Sequence, residues 1–209
     1  MRRRCPPTCR PGRPSCGSGW WPSGSPSTTW VRPRSWSSRR ILVPGQVETD
    51  ASIATGACSV RTNRDLVAAV RAAEPEAWIL YKPHPDVLAG QRVGALPEVE
   101  AGCDQVVTGI AMPDLLEKVD EVHTLTSLTG FEALLRGRRV VAYGVPFYAG
   151  WGLTTDRVGC QRRQRQRSLN ELVALTLIRY PLYADPVSGD VINAETAVSL
   201  LAARRNNEK

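Results

Sequence analysis

Apolar residues along this chain gather in short runs separated by stretches of helical period, and that alternation predicts an α/β fold. Five runs read as strands: Ile41–Val43, Trp78–Tyr81, Val106–Val107, Val122–Leu125 and Val140–Tyr143. Between them, Leu66, Val67 and Val70 share one face of a helix that Asn63 is placed to cap, Pro113–Lys118 forms a short helix, and Phe131–Leu135 carries a third up to a stop at Gly137. Helices over Leu169–Ile178 and Ala194–Ala203 complete the pattern. Strands alternating with helices imply a Rossmann-like parallel sheet covered on both faces, with ligands bound beyond the carboxyl ends of its strands.

Composition changes the picture only at the amino end. Residues 1–40 hold nine arginines and no acidic residue, whereas residues 41–209 carry 18 Lys plus Arg against 20 Asp plus Glu, so the whole excess of +7 is amino-terminal. The same stretch holds Trp20, Trp21, Trp30, Trp36, Cys5, Cys9 and Cys16 among many prolines, without a hydrophobic period, and cannot build a core of its own. Basic residues with interleaved aromatics can bind single-stranded nucleic acid, but no folded recognition motif accompanies them, and no nucleic-acid partner is expected. Proline at this density forbids an amphipathic membrane helix, and the three cysteines lack a fourth ligand at zinc-site spacing. Arg, Pro, Gly, Ser, Cys and Trp together are what a GC-rich coding strand yields in the wrong frame. Residues 1–40 are therefore expected to be a disordered, non-native, frameshift-like arm, and residues 41–209 the folded domain. With no apolar signal region and no span of about 18 apolar residues, a cytoplasmic location is expected. Cys58, Cys103 and Cys160 are scattered singly, which suits reduced thiols.

The chemistry-bearing residues all fall at predicted strand ends. After the first strand comes a turn with Gln46, Glu48, Asp50 and Ser52. Two carboxylates two residues apart at a strand exit suit either a nucleophile, a general acid and base, or simply a solvated acidic turn. After the second comes YKPHPD, in which two prolines restrain the backbone around His84 while Lys82 adds a positive charge suited to phosphate. His123 lacks such a setting and is assigned to the sheet. After the fourth, Thr126, Ser127, Thr129 and Gly130 precede a helix; they serve either as ordinary caps or as a phosphate turn, with free N–H groups and the helix dipole aimed at an anion. The segment Gly144–Gly152, with Phe147, Tyr148 and Trp151, is dense in aromatics for a connection and reads as a lid loop. Further on, Arg162, Arg163, Arg165 and Arg167 form a basic loop that suits an anionic acceptor or solvent alike.

Four blocks in order, VPGQVETDASI, YKPHPDV, VDEVHTLTSLTGFEALLRG and YGVPFYAGWGLTTD, resemble the capsule polysaccharide biosynthesis and export family of the KpsC/LipA type over roughly residues 41–186. The resemblance implies a retaining β-Kdo transferase that uses CMP-Kdo to extend a lipid-linked acceptor, and a GT-B architecture of which this chain would be the carboxyl-terminal, donor-binding half. It implies roles as well: Asp50 as nucleophile with Glu48 as rival or acid/base partner, and His84 on the CMP phosphate or cytidine. Ser127 and Thr129 would receive the phosphate and Glu132 the ribose hydroxyls, with Gln46, Lys82, Gly130, Tyr148 and Trp151 completing the donor site. No DxD pair is present, so no cofactor and no metal are expected. Nucleotide sugar and lipid-linked glycan are the implied partners, with peripheral contact to the inner membrane and the capsule export complex. The chain has room for one half of a GT-B enzyme, so a truncated donor-binding half is expected; the alternative is a non-catalytic glycan-recognition component of the export machinery.

Overall fold

A computed structural model describes residues 39–90, 99 and 102–207; most of the amino-terminal arm lies outside them. Its centre is a six-stranded sheet of β1 (Arg40–Pro44), β2 (Trp78–Lys82), β3 (Gln105–Val106), β4 (Glu121–Thr124), β5 (Arg139–Ala142) and β6 (Thr155–Asp156). The order is β3-β2-β1-β4-β5-β6 and every pairing is parallel, as the alternation of runs requires. This is the dinucleotide-fold order, in which the chain steps one way from β1 and the other way from β4, leaving a crevice between their carboxyl ends.

The central strands are apolar on both sides because both faces are covered. On one face Ile41, Val43, Ile79 and Tyr81 meet α2 (Asn63–Ala73) through Leu66, Val67 and Val70. On the other, Leu42, Leu80, Val122 and Val140 meet α4 (Met112–Leu116) and α5 (Thr129–Leu135) through Leu115, Leu116, Phe131 and Leu134. Two short helices escape the periodicity, α1 (Ala51–Gly56) and α3 (Pro85–Leu88), since neither is long enough to show one. Beyond the sheet, α6 (Leu169–Val173) starts at a capping box between Ser168 and Glu171 and inserts Leu172 into the core. The predicted helix over 169–178 is corrected at Ala174, where it widens into a π-helical turn to Arg179. A hairpin of β7 (Tyr183–Ala184) and β8 (Val191–Ile192) and helix α7 (Ala194–Asn207) close the described chain. Among the described residues no helix is long and apolar enough to cross a membrane.

The boundary of the arm is also corrected by two residues. Arg40 opens β1 and grips Asp120 with its backbone N–H at 2.8 Å and its guanidinium at 2.9 Å, while Arg39 pairs with Glu74 and Glu121. Charge counting placed both with the arginines upstream; ion pairing places them in the fold.

His123 lies in β4 as expected, fully buried, with Nε2 at 3.2 Å from the buried Glu121 carboxylate. The carboxylate only accepts, so Nε2 carries the proton of the neutral ring. Burial holds the imidazole below its ordinary 6.5; Glu121 pulls the other way and Arg157 adds to the lowering. A lowered folded value means that the unfolded chain binds the extra proton, so this contribution is fully present above 6.5 and is lost progressively as pH falls from there through the lower folded value. Urea midpoints followed downward from neutral pH should show stability falling by up to about 1.4 kcal/mol per pH unit from this group. His123→Leu should flatten that limb, and an unchanged slope in the variant would refute the assignment.

Candidate functional site at the switch point

The crevice between β1 and β4 is assembled from the loops that leave those strands. After β1, Gly45 donates its N–H to the Lys82 carbonyl at 2.7 Å, and the chain turns past Gln46, which is almost fully buried. The Gln46 backbone is held by Asn63: its N–H reaches Asn63 Oδ1 at 2.9 Å and its carbonyl accepts from Asn63 Nδ2 at 2.8 Å. Asn63 was expected as the cap of α2, but Thr62 fills that position, and Asn63 sits one residue in as a buried brace. No local signal marks this role, because the residue it braces is 17 positions away.

The two carboxylates of the turn have different surroundings. Glu48 is half-buried and its Oε1 accepts the Asn63 N–H at 2.8 Å, at the amino end of α2. Asp50 is exposed and caps α1, its Oδ1 accepting the Ser52 N–H at 2.7 Å. A cap uses one carboxylate oxygen for this bond and keeps the charge at the mouth of the crevice. Ser52 Oγ stands 3.1 Å from Thr126 Oγ1, which joins the β1 side of the crevice to the β4 side.

The expected phosphate turn is corrected in one respect. Four of its N–H groups are engaged within the fold: Thr126 N–H goes to Gln46 Oε1 at 3.0 Å and Ser127 N–H to Thr124 Oγ1 at 3.2 Å. Thr129 N–H goes to Ser127 Oγ at 3.2 Å and Gly130 N–H to the Ser127 carbonyl at 3.1 Å. Neither Ser127 nor Thr129 caps α5, whose cap position is Leu128 with no side-chain bond. Ser127 Oγ donates to Thr129 Oγ1 at 3.1 Å, so that hydroxyl too is engaged within the turn. Glu132 is half-buried in the first turn of α5.

After β2, His84 caps α3, with Nδ1 accepting the Asp86 N–H at 3.2 Å. A ring nitrogen that accepts is unprotonated, so the proton of the neutral ring sits on Nε2, and the half-exposed side chain offers it as a donor. Lys82 reaches away from the crevice: Nζ donates to the Ile110 carbonyl at 2.7 Å, in the loop after β3, and burial lowers its pKa.

The aromatic segment is the largest correction, because it is a clasp rather than a lid. Tyr148 is fully buried and donates its hydroxyl to the Ser127 carbonyl at 2.5 Å, and burial raises its pKa. It cannot reach a substrate. Gly130 serves this packing, since a Cβ there would lie 2.2 Å from Tyr148 Oη. Trp151 donates Nε1 to the Phe147 carbonyl at 2.8 Å and lies under the Arg163 guanidinium at 5.5 Å. Arg163 also donates to the Pro146 and Ala149 carbonyls, and Asp156 accepts the Gly150 N–H at 2.9 Å. Two members of the basic loop are thereby engaged at home, since Arg167 pairs with Glu171 at 3.1 Å. The structure therefore gathers Gln46, Asp50, Ser52 and the Thr126–Gly130 turn around one crevice, sets His84 one strand away, and withdraws Lys82 and Tyr148. Among the described residues no group of three His, Cys, Asp or Glu side chains is arranged to hold a metal.

A family model described as capsule polysaccharide biosynthesis protein matches residues 31–183, beginning inside the segment assigned by composition to the arm. Capsule polysaccharide modification protein LipA of Neisseria meningitidis serogroup B is 50% identical over 171 residues, covering 81% of this chain and 24% of its own length. Lipopolysaccharide-processing protein LpsZ of Rhizobium meliloti is 45% identical over 170 residues, 80% of this chain and 39% of that protein. Among solved structures, KpsC of Thermosulfurimonas dismutans, a beta Kdo 2,7 transferase, superposes with a TM-score of 0.76 at 44% identity, over 83% of this chain and 56% of that one. The chain thus spans about a quarter of the LipA protein and about half of the KpsC chain.

Proposed function

The chain belongs to the capsule polysaccharide biosynthesis protein family, and from that premise we propose that its crevice binds CMP-Kdo as the donor half of a retaining Kdo transferase acting on a lipid-linked glycan. The observation that carries the reading is the carboxylate of Asp50 capping, at a topological switch point, the helix whose Ser52 meets the Thr126 hydroxyl across the crevice. Kdo is a ketose whose anomeric carbon bears a carboxylate, and departure of CMP builds a cation beside that negative charge. Asp50 attacks the anomeric carbon as the bond to the phosphate oxygen breaks, CMP leaves with the electron pair, and a glycosyl ester remains. An acceptor hydroxyl then displaces the Asp50 carboxylate, its proton passing to a base, and two inversions give retention. Glu48, fastened to the amino end of α2, holds the Asp50 turn in place in this scheme.

CMP is a good leaving group and needs mainly charge stabilisation. The Nε2–H of His84 supplies a donor for the phosphate or the base. Calorimetric titration of CMP into the chain should give measurable binding, and His84→Ala should weaken it by about tenfold or more, the loss of one hydrogen bond to a charged group. A folded chain that ignores CMP would instead favour a non-catalytic glycan-recognition component of the export machinery.

A further inference from the structure

Three hydroxyl or amide groups at the crevice form a chain, and the Thr126 backbone N–H fixes the orientation of its first member. The Thr126 backbone N–H can only donate, so the Gln46 atom 3.0 Å from it is the carboxamide oxygen. Thr124 Oγ1 approaches the same oxygen at 3.4 Å. The other end of the carboxamide is therefore NH₂, and it donates to Thr126 Oγ1 at 2.9 Å. Thr126 Oγ1 has one further partner among the described residues, Ser52 Oγ at 3.1 Å. Donating to Ser52 is the arrangement in which Thr126 uses its own proton on a protein group. In that arrangement Ser52 accepts, and its own O–H is left to donate elsewhere. Ser52 is exposed at the start of α1, and its backbone N–H is held by Asp50.

We propose that Gln46 is a positioning residue that sets this direction, so that the Ser52 hydroxyl donates into the crevice beside Asp50 to an anionic oxygen of the sugar nucleotide. The assignment rests on the reading of the crevice as the donor site. It also gives Gln46 a different task from the donor contact expected of it: its buried carboxamide is engaged by Thr126 and Thr124, and it acts through Ser52. Gln46→Glu tests the idea at nearly constant shape. The introduced carboxylate still accepts the Thr126 N–H but cannot donate, so Thr126 turns its proton toward it, accepts from Ser52, and withdraws the Ser52 proton from the crevice.

Calorimetry with CMP on the full chain and on Gln46→Glu, Ser52→Ala and the double variant forms a closed cycle. Each single change should weaken binding by about tenfold, and the double variant should bind within about twofold of Gln46→Glu alone. A negative charge acting simply by repulsion would weaken binding by the same factor in the Ser52→Ala background, and such a multiplicative result would overturn the proposal. Single-variant losses seen with CMP-Kdo but not with CMP would assign the contact to the sugar carboxylate instead of the phosphate; no loss with either would also overturn it. Neutron diffraction from deuterated crystals reads the direction without ligand. A Thr126 deuteron pointing away from Ser52 overturns the inference, whereas the expected deuteron with no CMP binding by the parent chain would sink the donor reading while leaving the hydroxyl direction standing.

Discussion

Asp50→Asn, placed at the aligned position of a full-length relative such as the Thermosulfurimonas transferase, is expected to lower kcat for Kdo transfer on the order of 10⁴-fold while leaving CMP affinity within about twofold. The substitution is clean because the amide oxygen of asparagine still accepts the Ser52 N–H that Asp50 now takes at 2.7 Å, so α1 keeps its cap. What is lost is the charge and with it the nucleophile. Glu48→Gln gives the contrast, since its Oε1 is already bound to the Asn63 N–H and an amide oxygen can replace it there. That variant should lose less than about tenfold if Glu48 only braces the loop. Initial rates with saturating donor decide the matter. Retention of most activity by Asp50→Asn, with collapse in Glu48→Gln, would exchange the two roles.

The second large effect is on stability. Gly130→Ala should destabilise the chain by about 2–4 kcal/mol, which is the cost of overpacking together with a broken buried hydrogen bond. The new methyl would lie 2.2 Å from Tyr148 Oη and 2.6 Å from Cζ, and the ring is fully buried between α5 and the aromatic clasp. Relief requires moving Tyr148, which breaks its 2.5 Å hydrogen bond to the Ser127 carbonyl. Tyr148→Phe alone should cost about 0.5–1.5 kcal/mol, the loss of one buried hydrogen bond, because the Ser127 carbonyl keeps the Gly130 N–H at 3.1 Å. The double variant should fall short of the sum, because removing the hydroxyl removes the closest clash. Chemical denaturation of the four proteins measures the coupling. An additive pair, or a Gly130→Ala protein as stable as its parent, would show that the glycine answers to something other than Tyr148.

Most of the fold is legible in the sequence. Runs such as Trp78–Tyr81 and Val140–Tyr143 are apolar without alternation because the strands they form are covered on both faces, and the helical period of Leu66, Val67 and Val70 follows from the single face that α2 buries. Both signals depend on neighbours in the chain. The positions of Asp50, His84 and Thr126 beyond strand ends were legible for the same reason, since turn and cap residues act over two or three positions. The short helices α1 and α3 were not, having no room for a period.

Which of those strand-end groups remain available to a ligand was a different question. The amides of the Thr126–Gly130 turn looked free in the sequence because the carboxamide that takes the Thr126 N–H comes from Gln46, 80 positions away. Tyr148 looked like a lid residue because nothing near it in sequence announces that a glycine 18 positions earlier leaves space for its ring. Arg163 looked available to an acceptor and is occupied by the carbonyls of Pro146 and Ala149. The amino-acid sequence by itself determined the parallel sheet, its helices and the line of candidate residues along the strand ends, because period, caps and turns are local properties. Only the tertiary structure decided that the Gln46 carboxamide is bonded to Thr126, that Tyr148 is buried and that Ser52 stands with Asp50 at the crevice, because each donor and acceptor is claimed by whichever partner the sheet brings within reach.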